Sequence, residues 1–332
     1  MNTLRNDLVN KIKKMPEEWL LLINQAISNL SDLSKNSIYD SHIHACPYCG
    51  SHLIRNGTQC GKQRYRCKCC NKTFTCTVNT VLYYSRTGEK VWKEVLADTL
   101  DFVSIDKTAK RLGLSHNHVF CMRHKILAAM ESSETEKQTV LSDVKECDET
   151  FVLESLKGAK IPAGYWRNPR KHGAKAQKRG ISDEYVCICT GIGRENGAVA
   201  VSVNRAKPDE AELKAAFKGY LDEYDLVLCD GHKSYRSLAT EYGCSIKDVN
   251  LETDQYFHLN NANSFHSFIK KHYVHYGGVA TKYLNRYNVL FARAYRKGKT
   301  FLDDMYKSLF TDSMQNSYFS NQSLKTCNLL NL

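Results

Sequence analysis

The spacing of apolar and polar positions changes character near residue 143. Before that point the pattern is helical or cysteine-rich. Met15, Trp19, Leu22, Ile23, Ala26, Ile27 and Leu30 recur at three- and four-residue steps, which predicts an amphipathic helix over residues 11–30. Pro16-Glu17-Glu18 suits its first turn. Residues 45–76 are short, turn-rich runs, and residues 89–131 read as helices throughout. A polar stretch over 132–142 predicts a linker. Beyond it, β-rich apolar runs alternate with helical ones. Residues 144–153, 185–192, 198–204 and 226–229 predict strands, and residues 208–220, 234–242 and 258–271 predict helices. This mixture predicts a multidomain chain: a helical segment over 1–40, a cysteine-rich module over 41–78, a helical module over 79–135, a mixed α/β domain built on one central sheet over 140–300, and a Ser/Asn-rich, loosely ordered tail over 301–332.

Charge narrows the partners. The 332 residues carry a net +12, and 42% are hydrophobic, enough for a sizeable core. Such a surplus favours a polyanion, because each phosphate met by Lys or Arg releases condensed counterions. The opening residues carry no signal-peptide pattern, and the run Trp19–Ile23 is too short to span a bilayer, so a cytoplasmic chain without a membrane partner is expected.

Seven of the 14 cysteines fall between Cys46 and Cys76. Cys46-Pro47-Tyr48-Cys49 and Cys67-Lys68-Cys69-Cys70 form two Cys-x-x-Cys knuckles, the spacing of a four-thiolate Zn²⁺ ribbon. Cys46, Cys49, Cys67 and Cys70 are the expected ligands, with Cys69 the alternative to Cys70. A redox pair or plain buried thiols is the competing interpretation. Four sulfurs leave no open position, so the role is structural. Arg64 and Arg66, on a basic strand leading into the second knuckle, are candidates for DNA backbone contact. The scattered remaining cysteines read as small buried residues.

Ser104 to Ser115 ends one helix and begins another. Ala109 is small where two helices cross, Gly113 suits a turn at positive φ, Ser115 suits an N-cap, and Val119 packs back on the pair. This is a helix-turn-helix pattern, although an ordinary helical hairpin has the same features. His116, Asn117 and His118 are expected at base edges, and Arg123, His124 and Lys125 at phosphates.

Asp148 lies inside the first strand of the α/β region, and Asp230 ends an apolar strand just before Gly231. A charge inside a strand costs stability unless it is used. Two such carboxylates on neighbouring strands suit Mg²⁺ or Mn²⁺. Taken singly, each Asp reads equally as a turn or cap residue. In the helix over 258–271, Asn263, Ser267 and Lys270 share a polar face. Between the two acids, Lys157, Lys160, Arg167, Arg170, Lys171, Lys175, Lys178 and Arg179, with Tyr165-Trp166, read as a DNA-gripping loop.

In combination these residues resemble a known family, the insertion-sequence DDE transposases of the IS1595 type, with an RNase H-like catalytic domain. The resemblance spans about residues 45–297. It rests on the first cysteine knuckle, Arg64 to Phe74, Arg123-His124-Lys125-Ile126, Asp148-Glu149-Thr150, Asp230-Gly231-His232, the helix Asn260–Lys271, and Gly278 to Leu284. It implies Asp148 and Asp230 as catalytic acids, Asn263 where many relatives carry Glu, and Lys270 as a phosphate-holding base. His266 stands where some relatives have Trp and is given no role. The implied activity is metal-dependent cleavage and transfer of DNA strands, at terminal inverted repeats and target DNA, by a homo-oligomer. The alternatives are an inactive DNA-binding regulator derived from a transposase, which Asn263 favours, and a nuclease that cuts without joining.

Overall fold

In the computed structural model, residues 43–136 and 144–296 are described, apart from positions 79, 159–160, 162–163, 169, 172–173, 196 and 252–253. The helix expected over 11–30, Lys160 and the tail from 301 lie outside them. The described residues fall into two compact units, 43–83 and 84–296.

The smaller unit is a three-stranded antiparallel sheet of β1 (Leu53–Gln59), β2 (Lys62–Cys67) and β3 (Thr73–Thr75), in that order. Its apolar content is small. Tyr65 and Phe74 are buried and stack at 6.2 Å, and Tyr48 meets Phe74 edge-on at 5.9 Å. A sheet this thin has little core of its own, so the four clustered thiols beside it carry structural weight.

The larger unit begins with three helices, α1 (Glu89–Leu100), α2 (Ile105–Leu112) and α3 (His116–Glu136). Between α2 and α3 the expected turn is present. Ser104 caps α2 through Lys107 N–H, Gly113 takes φ +64, and Ser115 Oγ accepts from His118 N–H. Ala109 and Val119 are buried between the helices. Helix α3 runs to Glu136 and so overruns the linker expected from 132.

The sheet follows: β4 (Val144–Leu153), β5 (Tyr185–Gly193), β6 (Ala198–Arg205), β7 (Leu226–Cys229) and β8 (Ser245–Asp248), in the order β6-β5-β4-β7-β8. β4, β5 and β6 pair antiparallel, whereas β7 and β8 run parallel to β4. This is the expected mixed central sheet. One face is closed by α4 (Glu210–Phe217) and α5 (Arg236–Tyr242) over a core that includes Cys147, Cys187, Cys189, Val199, Leu213, Phe217 and Leu238. The other face carries α6 (Asn260–His275) and α7 (Leu284–Arg296). α7 is pinned to β6, where Asn285 Oδ1 accepts from Ser202 N–H at 2.7 Å and Asn288 Nδ2 donates to Ser202 Oγ at 2.8 Å. No helix among the described residues is long and apolar enough to cross a membrane.

Helix α6 is held to β4 by one buried carboxylate. Glu146, fully buried, accepts from Asn261 N–H at 2.9 Å, Ala262 N–H at 3.1 Å and Asn261 Nδ2 at 2.8 Å. Arg194 Nε pairs with it at 3.3 Å. The first N–H groups of a helix have no partner within it, and the helix dipole favours a negative charge there. Removing a buried ionic partner leaves the rest uncompensated, at about 3 kcal/mol or more. Glu146→Ala should therefore lose about 3 kcal/mol in denaturant unfolding. A loss below about 1 kcal/mol would contradict this role for the carboxylate.

Candidate active site and cysteine cluster

In the smaller unit, Cys46, Cys49, Cys67 and Cys70 converge, with one sulfur from each lying within 4.8 Å of all the others. Cys46 and Cys70 sulfurs are 3.6 Å apart, and those of Cys49 and Cys67 are 3.4 Å apart. Four thiolates around a tetrahedral ion at about 2.3 Å would sit about 3.8 Å from one another. Tight turns at Gly50 (φ 71) and Asn71 (φ 56) fold each knuckle back. The N–H groups of Cys69 and Cys70 point at Cys67 Sγ at 3.3 and 3.4 Å. A hydrogen bond from Ser51 pulls the Cys49 thiol down to about 6. Cys70 is pushed up to about 12: the Lys72 N–H lowers it, but burial and the three neighbouring sulfurs outweigh that. Four thiols this close cannot all ionise without a cation among them, so the donor set fits a metal ion. Cys69 and Cys60 are exposed and stand outside the cluster.

In the larger unit, Asp148 sits mid-strand on β4 and Asp230 follows the last residue of β7. The parallel register pairs Val144 with Leu226 and Glu146 with Leu228. Carrying it two residues further brings Asp148 level with Asp230 on the same face. That face is the one under α6, because Cys147, Val227 and Cys229 belong to the opposite core. The turn after Asp230 requires glycine: Gly231 has φ +80, and a Cβ there would lie 2.0 Å from Asp248 Oδ2. Burial raises Asp148 to about 6. The Glu149 N–H and the charge of Lys270 lower it, and the charges of Glu149 and Asp230 add to the rise. A half-buried carboxylate beside a second acid is short of positive charge, and the pair fits a divalent cation bound through oxygen. Glu149, the next residue, is also raised by burial, but it turns to the other face towards Tyr235.

On α6, Asn263 and Lys270 are exposed. Between them lies His266, which sequence reasoning left without a role. His266 is 7% exposed; its Nδ1 is 3.8 Å from Asp148 Oδ2, and its Nε2 is 2.7 Å from Thr190 Oγ1. Burial, then the charge of Lys270, depresses its imidazole to about 4. Glu146 was missed as well. His266 lies one turn from both Asn263 and Lys270, but the sequence alone does not say that it faces Asp148.

Some expected DNA contacts are corrected. Arg123 is fully buried, and its Nη2 donates to Val103 O at 2.7 Å. It cannot reach a phosphate, because it lies four residues from buried Val119 and three from buried Ile126, on the inward stripe of α3. His124 is buried against Phe120 and Tyr283, and Lys125 is half-buried, with its pKa lowered by burial. In the loop between the acids, Arg167 pairs with buried Glu154 and Arg170 with Glu184. The Tyr165 hydroxyl donates to Glu154 at 2.6 Å. These groups serve the fold. Lys175, Lys178 and Arg179 remain exposed, as does Trp166 at 40%. Arg64 and Arg66 extend from the same side of β2, where their guanidinium groups bond Thr73 and Asn71. His116, Asn117 and His118 are exposed at the start of α3.

No curated protein matches the chain. Among solved structures, a pre-cleavage Mos1 transpososome is 10% identical, with 70% of this chain and 82% of that one covered at a TM-score of 0.25. The Mos1 mariner paired end complex with Mn is 13% identical, with 70% and 80% covered at a TM-score of 0.26. Likeness at that level establishes neither fold nor function. The family comparison does more: residues 140–296, from the threshold of β4 to the end of α7, match the ISXO2-like transposase domain. The matched segment, a little under half of the chain, holds Asp148, Asp230 and α6 and is an ISXO2-like transposase domain of the IS1595 group.

Proposed function

We propose that this chain is the active transposase of an insertion sequence, cutting DNA at the element's ends and joining the freed strands to target DNA. The observation that carries the proposal is the level pairing of Asp148 and Asp230 on adjacent parallel strands beneath α6, within the transposase domain. The strand order supports an RNase H-like catalytic domain.

Asp148 and Asp230 would hold Mg²⁺ or Mn²⁺, which supplies Lewis acidity and offsets charge on the transferred phosphoryl group. Asn263, at the third position, offers a carbonyl oxygen but no charge and no base. Lys270, exposed one turn beyond His266, is suited to hold a phosphate of the strand being cut. In the first step water attacks a backbone phosphate and releases a 3′-hydroxyl. In the second, that hydroxyl attacks a target phosphate and displaces one of its ester oxygens. The four-thiolate cluster would hold structural Zn²⁺ and present Arg64 and Arg66 to the DNA backbone. The first turn of α3, with His116, Asn117 and His118, would read base edges in a terminal inverted repeat. Lys178 and Arg179 would grip backbone beside the site. Two ends must meet before joining, so the working form on DNA is a dimer or larger.

Purified chain with Mg²⁺ or Mn²⁺ should join a labelled end duplex to plasmid. Asp148→Ala and Asp230→Ala should each lower joining at least about 100-fold while still shifting the duplex in a gel. Joining that survives both changes would sink the catalytic assignment.

Zinc analysis should find one equivalent per chain, and Cys46→Ser should lose it together with the order of the smaller unit. A Cys46→Ser chain that keeps its metal would contradict the four-thiolate site.

Between about pH 4 and 6, folded Asp148 keeps a proton that the unfolded chain has released. Its contribution to stability therefore falls as pH rises through that window. Without divalent cation, Asp148→Asn should match the parent near pH 4 and be the more stable above pH 6. A difference that does not grow with pH would contradict the raised carboxyl.

A further inference from the structure

Asn263 leaves the third position of the site without charge or basicity, and the α6 side chain that meets Asp148 is His266. Two hydrogen bonds determine which imidazole nitrogen faces the acid. Thr190 Oγ1 lies 2.8 Å from the Asp148 carbonyl oxygen and 2.7 Å from His266 Nε2. A hydroxyl has one hydrogen, and a carbonyl can only accept. Filling both bonds directs the hydroxyl hydrogen to Asp148 O and makes Nε2–H the donor to Thr190. Nδ1 then carries the lone pair.

That lone pair faces Asp148 Oδ2 at 3.8 Å. A charge-assisted bond from a protonated imidazole would be about 2.7–2.9 Å, so the contact is too long to be one. The other carboxylate oxygen is already occupied by Glu149 N–H at 2.8 Å. Two acceptors thus converge in a largely buried place with no hydrogen between them. Donors sharing one octahedral ion at about 2.1 Å stand about 3.0 Å apart as neighbours and about 4.2 Å apart as opposites; 3.8 Å falls between the two, so either side chain must shift by less than about 1 Å to share an ion with the other. A ligand imidazole usually has its second nitrogen anchored by a hydrogen bond, as Thr190 does here.

We propose that His266, through Nδ1, is a ligand of the same divalent-metal centre as Asp148 and Asp230, with Thr190 as its positioning residue. The inference rests on reading those two acids as a metal site. It gives this chain a third strong donor on α6 one turn beyond Asn263. An imidazole also favours transition ions over Mg²⁺, so Mn²⁺ should bind more tightly than Mg²⁺.

The test is pulsed electron paramagnetic resonance of Mn²⁺ bound to the full, zinc-loaded chain. Nitrogen modulation from a directly bound imidazole is expected, with loss of that modulation in His266→Ala. Thr190→Val should weaken Mn²⁺ binding about tenfold or more. Bound Mn²⁺ without nitrogen modulation in the unaltered chain would overturn the ligand assignment and leave the carboxylate reading standing. Modulation that persists in His266→Ala would do the same. Failure to bind Mn²⁺ at all would overturn both. The spectrum of the unaltered chain decides the matter even where a variant folds poorly.

Discussion

The buried carboxylate of Glu146 at the start of α6 is the contact on which the site's geometry depends. It joins a fixed point on β4 to a fixed point on the helix, through two backbone N–H groups and one side-chain amide. Asp148 lies two residues further along the strand and so projects from the same face. His266 lies four residues beyond Ala262, on the helix face that Glu146 holds down. With one end of α6 clamped, its rotation is set. His266 turns inward against Asp148 and Thr190, while Asn263 and Lys270 flank it at the surface. A helix held by apolar packing alone could roll by a fraction of a turn and present a different residue to the acids.

The basic surplus is less available to a partner than its count implies. Arg123 is inside the larger unit, and Arg167, Arg170 and Arg205 surround two buried glutamates, Glu154 and Glu184. Hydrogen bonds from Lys178 N–H and Arg170 hold the Glu184 carboxyl down at about 2. Cations outside these clusters include Arg66 on the small sheet, Lys175, Lys178 and Arg179 in the loop, and Lys270 on α6, all of them exposed.

The sequence was legible where a pattern reflects one local cause. Two Cys-x-x-Cys turns, a Gly-centred helical turn and apolar runs of strand length each arise from short-range rules, and the cluster, the turn between α2 and α3 and four of the five strands of the large sheet follow. β8 was missed because Ser245–Asp248 has one apolar residue and owes its pairing to β7. α7 went unassigned, although Leu284, Tyr287, Leu290 and Phe291 recur at helical steps and all are buried. Arg123 was misassigned because its charge was weighed above its spacing from Val119 and Ile126. Glu146 and His266 were out of reach for a different reason. Their roles depend on which strand faces which helix, and that is set by contacts more than 100 residues apart along the chain for both pairs.

Everything proposed for the site requires Asp148 and Asp230 to share one divalent metal ion beneath α6. Crystals of the chain soaked in Mn²⁺, with diffraction measured at the manganese edge, test it most directly. Anomalous density is expected between the two carboxylates, within bonding distance of both. Density elsewhere with none at this pair, or occupancy that survives Asp148→Ala unchanged, would contradict it.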